Sequence, residues 1–130
     1  MSLFDTSSIF EAIMNQRVEI LLGTTTIPLA LYELGNIIWK KTSLLDELTL
    51  EEAVELMKVV DDVLKRMVIY ENNGLNPKSL IIAQQGKMSY YDSSFVHSAI
   101  ELGYQLVTED NQMRKISQEL GVPVVSIKDV

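Results

Sequence analysis

Five short β-like runs alternate with stretches of helical spacing, and that alternation constrains this sequence more than any other feature. The runs are Met1 to Phe4, Gly23 to Ile27, Val68 to Glu71, Tyr104 to Thr108 and Val122 to Ile127. The run GTTTI is rich in β-branched residues, which suit a pleated, half-buried surface. A short helix is predicted through Ile9, Phe10 and Ile13. Pro28, whose missing N–H costs nothing in a first turn, opens a second helix that runs to about Lys41. Ile27, Leu31, Leu34 and Ile38 form its expected core stripe. TLEE at Thr49 to Glu52 has the form of a capping box. Ala53, Leu56, Met57, Val60, Val63, Leu64 and Met67 follow it at helical spacing. Further helices are expected over Pro77 to Gln85, ended by Gly86, and over about Tyr91 to Leu102, stopped by Gly103. The last is expected over about Asn111 to Leu120. Such alternation points to a central parallel sheet covered on both faces, a single-domain α/β/α sandwich. No repeat, low-complexity tract or dividing linker interrupts it, so residues 1–130 read as one α/β domain.

The length suffices for one sizeable core. No apolar run approaches the ~20 residues of a membrane helix, so no membrane partner is expected. The N-terminus lacks the basic stretch and cleavage site of a signal peptide, which makes a cytoplasmic location the default. Without cysteine there is no disulfide framework, thiolate zinc site or cysteine nucleophile. Eleven basic and eighteen acidic residues give 11 − 18 = −7. That balance argues against coating nucleic acid by bulk charge. It leaves open holding a phosphodiester through bound cations, because a metal reverses the local field.

In an open parallel sheet, ligands bind beyond the carboxyl ends of the strands. Asp5 ends the first run, and Asp110 lies two residues past Thr108, at the end of the fourth. Asp92 begins the helix that leads into the fourth run. Glu33 shares a helix stripe with Asn36 and Lys40, opposite the apolar one. Each acid also has a plainer reading: Asp5, Asp92 and Asp110 as helix caps, Glu33 as a solvated surface acid. Four carboxylates converging on one edge would call for a divalent cation, and Mg²⁺ or Mn²⁺ is the natural partner of oxygen ligands. Two such ions about 4 Å apart can activate water and stabilise a leaving oxygen. No histidine cluster suggests zinc instead.

The segments LFDTSS, LYELGNIIWK, YYDSSFVHSAIELG and LVTEDNQM, in that order, resemble the motif series of PIN-domain ribonucleases. They are most similar to the compact VapC-like toxins of toxin–antitoxin pairs, and the likeness spans Asp5 to Asp110 without a large insertion. It implies a PIN-like fold over 1–130 and Mg²⁺- or Mn²⁺-dependent endoribonuclease activity on RNA phosphodiester bonds. Asp5, Glu33, Asp92 and Asp110 would be the catalytic residues that hold the ions, directly or through water. Ser7 and Thr108 match small hydroxyl positions near the metals, and Asn36 matches a polar position one turn after the glutamate. The resemblance also implies a homodimer and a small antitoxin protein that blocks the site. Met113 stands where some members carry another acid.

Other residues carry two readings each. His97, the only histidine, is a general base or a surface or boundary residue. Lys40, Lys41, Arg114 and Lys115 line an RNA path or are solvated helix ends. Trp39, Tyr90 and Tyr91 stack on bases or pack at a core or dimer interface. The stripe of Met57, Val60, Leu64 and Met67 is core or a partner surface. The rival functions are a catalytically inactive PIN-like scaffold or partner-binding module, and an RNA-processing nuclease that is not a toxin. A receiver-type signalling domain would need adjacent acids near the first strand and a lysine after a late one. This chain offers no lysine after its last run until Lys128.

Overall fold

A computed structural model of the chain describes residues 1–130. Its five strands are β1 (Ser2–Phe4), β2 (Thr25–Thr26), β3 (Val68–Ile69), β4 (Gln105–Val107) and β5 (Val124–Val125). Six helices connect them: α1 (Thr6–Met14), α2 (Leu29–Ser43), α3 (Leu50–Lys65), α4 (Pro77–Gly86), α5 (Tyr90–Leu102) and α6 (Asn111–Glu119). Every strand pair is parallel, in the order β3-β2-β1-β4-β5. Right-handed crossovers are all but obligatory between parallel strands. Moving outward from β1 in one direction, the chain therefore lays α1, α2 and α3 on one face. Moving in the other, it lays α4, α5 and α6 on the opposite face, and the helix contacts follow that division. The result is the α/β/α sandwich expected from the sequence.

Burial explains the order. Leu3 and Phe4 of β1 and Leu106 and Val107 of β4 are fully buried, which suits strands covered on both faces. β3 lies at an edge, and its Val68 and Ile69 are exposed. All five strands are shorter than the β-like runs that announce them. The last run, Val122 to Ile127, pairs only at Val124 and Val125 before turning into a 3₁₀ segment.

Local signals set most helix ends. Thr49 and Glu52 form the capping box in both directions. Asn76 caps α4 ahead of Pro77. Three expectations need correction. Leu31 and Met57 are exposed, and the buried face of α2 is Ala30, Leu34 and Ile38. α5 begins one residue earlier than predicted and is capped by Ser89, which leaves Asp92 inside the first turn. Gly86 is the last residue of α4 rather than its stop, since Lys87 takes the left-handed conformation with φ 50°. Gly86 has a packing reason instead. A Cβ there would stand 2.9 Å from Met88 Cε and 3.2 Å from Ile116 Cγ1, so the missing side chain lets α4 approach α6.

Candidate active site

The chain runs outward from β1 to β2 in one direction and from β4 to β5 in the other. The crevice beyond the carboxyl ends of β1 and β4 is therefore the switch point where such sheets bind ligands. Asp5 follows β1 directly and is 4% exposed. Its Oδ1 accepts from Ser8 N at 2.9 Å, and its Oδ2 accepts from Thr108 Oγ1 at 2.5 Å. Thr108, fully buried just past β4, also accepts from Asp110 N at 3.0 Å. Asp110 Oδ1 in turn accepts from Met113 N at 2.9 Å. Asp5 and Asp110 are thus the N-caps of α1 and α6, and one hydroxyl ties both acids across the two strand ends. Capping does not exhaust them, because each carboxylate oxygen has two acceptor positions.

The other two acids come from opposite faces of the sheet. Glu33 projects from α2, where Thr6 Oγ1 donates to its Oε1 at 2.6 Å. Asp92 comes from the first turn of α5, and its backbone N–H donates to Ser89 Oγ at 3.0 Å. The plainer reading of Asp92 as a cap is therefore replaced. All four acids line one cavity of about 650 Å³. Ser7 and Asn36 line it too, with the exposed Tyr32 and Tyr91 as rim and the buried Phe95 and Met113 as apolar wall. No lysine, arginine or histidine faces it.

Burial first, and neighbouring acids second, act on these carboxyls. Burial pushes the Asp5 carboxyl up from its ordinary value, against the pull of the Thr108 and Ser8 hydrogen bonds, and Asp110 adds to the rise. Burial also raises Glu33, opposed by the Thr6 bond and assisted by Asp92. Asp92 is raised by burial first and by Asp110 second. The four carboxylates share a cavity without closing on a point, and no three acidic or histidine side chains stand close enough to enclose an ion. This donor set fits a hard divalent cation of the Mg²⁺ type. Such an ion keeps several waters and binds through one or two carboxylates plus substrate phosphate, not in an all-protein cage.

The remaining candidates divide. Thr108 lies beneath the cavity and orients two of its acids, while Lys40 and Lys115 are exposed away from it. Lys41 pairs with Glu47 at 3.0 Å and stands over the Phe10 ring. Arg114 Nη2 donates to Thr108 O at 3.0 Å. His97 is not a boundary residue: it is 3% exposed, with Nε2 3.3 Å from Glu101 Oε2, outside the acid cavity. Trp39 is half-exposed and Tyr91 sits on the rim, whereas Tyr90 lies outside this cavity. Thr6 is the residue that sequence reasoning passed over. Thr6, Ser7 and Ser8 form a row of three hydroxyls, and nothing local says which one turns towards α2.

No family model matches the sequence, and no curated protein matches it either. Solved structures do. PAE2754 from Pyrobaculum aerophilum superimposes with a TM-score of 0.78 at 19% identity, over 98% of this chain and 90% of that one. A PilT N-terminus domain protein, SSO1118 from the hyperthermophilic archaeon Sulfolobus solfataricus P2, gives 0.57 at 17% identity, over 98% and 87%. FitAcB from Neisseria gonorrhoeae gives 0.61 at 15% identity, over 95% and 96%. The architecture of this chain is therefore a PIN-like fold, as the ordered motif series implied.

Proposed function

We propose that the chain is a metal-dependent endoribonuclease of the PIN class, one nuclease domain over 1–130, acting as the toxin of a toxin–antitoxin pair. The observation that carries this is the cavity at the β1/β4 switch point lined by four carboxylates and no cation, where burial first and mutual repulsion second raise three of the four carboxyls. Asp5, Glu33, Asp92 and Asp110 would hold Mg²⁺ or Mn²⁺. When bound, the ion supplies positive charge that neutralises the phosphodiester and acidifies water. The chain's own part is positioning. The Thr108 hydroxyl and the caps of α1 and α6 fix Asp5 and Asp110, and Thr6 fixes Glu33. Ser7 and Asn36 offer uncharged polar contacts to a sugar or phosphate oxygen along the same wall. A cation within the cavity also explains how a chain of net charge −7 handles RNA.

The VapC-like order of the motifs supports the toxin role, and with it a homodimer, a small antitoxin partner and a cytoplasmic setting. Exposed apolar residues on α2 and α3, including Leu31, Val54 and Met57, supply surface for such contacts. The second reading, an inactive PIN-like scaffold, draws on the absence of a closed three-ligand cluster.

The test is cleavage of a labelled single-stranded RNA with Mg²⁺ or Mn²⁺, beside EDTA and the Asp5→Asn and Asp92→Asn variants. Metal-dependent cutting that both substitutions abolish is the expected result. Cutting that persists in both variants overturns the assignment of the site. No cutting, together with no Mn²⁺ binding by calorimetry, leaves the scaffold reading standing.

A further inference from the structure

A second cavity, of about 250 Å³, opens at the same edge of the sheet, beside the segment that follows β3. Leu29 lines both cavities. The first turns of α5 form the wall between them: Tyr91, Asp92 and Phe95 line the acid side, and Tyr90 and Ser94 line the other. The two chambers differ in chemistry: four carboxylates line the first and one the second. Glu71 is the one charged side chain of the second, and its other polar groups are amides and hydroxyls: Asn72, Asn76, Ser79, Tyr90 and Ser94. A phosphate would meet no cation here. An uncharged planar group with mixed donors and acceptors would meet a fixed pattern of both.

Internal hydrogen bonds set that pattern. Asn72 Nδ2 donates to Ser98 Oγ at 3.0 Å, which leaves its Oδ1 to accept. Asn76 Oδ1 accepts from Lys78 N at 2.9 Å, which leaves its amide protons to donate. The Tyr90 hydroxyl accepts from Asn76 N at 2.9 Å and keeps its own proton free. Unpaired bases are read in this way, on their hydrogen-bonding edges, in sequence-specific RNA recognition. The volume falls below the ~300 Å³ at which drug-sized pockets begin, so the cavity suits a small group such as a single base.

We propose that this second cavity is a nucleobase subsite: it seats one unpaired base of the RNA while a neighbouring phosphodiester lies at the acids, and Asn72 and Asn76 read its edge. The base-binding part stands on the cavity's own chemistry, and the placement relative to the cut rests on the nuclease reading above. The subsite makes base preference at one position beside the cut a property of the β3–α4 segment.

Two measurements separate the claims. In the first, RNA randomised around the cut is cleaved and the ends are sequenced. The wild-type chain favours one base at one position, and Asn72→Ala or the cavity-filling Ser94→Leu flattens that preference about fivefold or more. Uniform slowing with the preference intact overturns the subsite. In the second, each of the four ribonucleosides is titrated in EDTA while the side-chain amide signals of Asn72 and Asn76 are followed by NMR. One nucleoside shifts both signals, and Ser94→Leu abolishes the shift. If a nucleoside shifts them while no RNA is cut, the subsite stands and the nuclease reading falls. If RNA is cut without base preference and no nucleoside shifts them, the subsite falls and the nuclease stands.

Discussion

Replacing Thr108 by valine removes one hydroxyl and almost no volume. In the folded chain that hydroxyl donates to Asp5 Oδ2 and accepts from Asp110 N, and it is fully buried. A hydrogen bond to a charged group contributes ~1.5–3 kcal/mol, more than a neutral one. Asp110 is exposed, so water replaces the partner of its N–H and adds little to the loss. The expected destabilisation is about 2–3 kcal/mol, or about 6–12 °C in Tm for a domain of this size. Its pH dependence is the sharper part. Burial holds the Asp5 carboxyl above its ordinary 3.8, so its contribution to stability is complete below that value. The contribution is then lost as pH rises through the folded value. Without the Thr108 donor the folded value climbs further, and the loss continues to higher pH. The gap between Thr108→Val and wild type is therefore narrow in acid and widens towards neutral pH. Guanidinium denaturation in EDTA across that range reads it directly. A gap that stays constant with pH, or one under ~0.5 kcal/mol, refutes the coupling between hydroxyl and carboxylate.

Without divalent ions, Glu33→Gln and Asp92→Asn are each expected to raise stability at neutral pH, because each removes a partly desolvated carboxylate that also faces other acids. Both side chains are partly solvated, so a gain of a few tenths to ~1 kcal/mol is expected, and it disappears below the carboxylate range. Mn²⁺ at a hundredfold excess over its Kd stabilises the wild-type chain by ~2.7 kcal/mol, read as a Tm shift. The double variant Asp5→Asn, Asp92→Asn shows no such shift. Thr49→Ala breaks the capping box of α3 and is expected to cost ~1 kcal/mol of unfolding free energy, read by denaturant titration.

The order of elements was legible because the strands of a parallel sheet are near-continuous apolar runs, and helices carry their own caps. Strand lengths were not, because an apolar run records burial, whereas pairing also needs a neighbour. Val122 and Ile127 are both buried, yet neither belongs to the ladder. Leu31 and Met57 fit the apolar spacing of their helices but stay partly exposed along the groove between α2 and α3. Asp5 and Asp110 cap α1 and α6 and also line the acid cavity, so the cap reading does not exclude the other. For Asp92 the cap reading was settled by Ser89, three residues upstream, an equally good cap in sequence. The link from Thr6 to Glu33 spans 27 residues and two elements, a distance no local pattern carries.

The bond between Asp5 and Thr108 crosses 103 residues. On a ribosome, Asp5 and Glu33 emerge early, but β1 has only β2 beside it until β4 has been synthesised. Until then Asp5 lacks Thr108, Asp110 is missing, and the crevice between β1 and β4 does not exist. The nascent chain thus carries Asp5 and Glu33 without the cavity that gathers the four acids. The acid cavity is therefore completed only when β4 and the residues just after it dock beside β1.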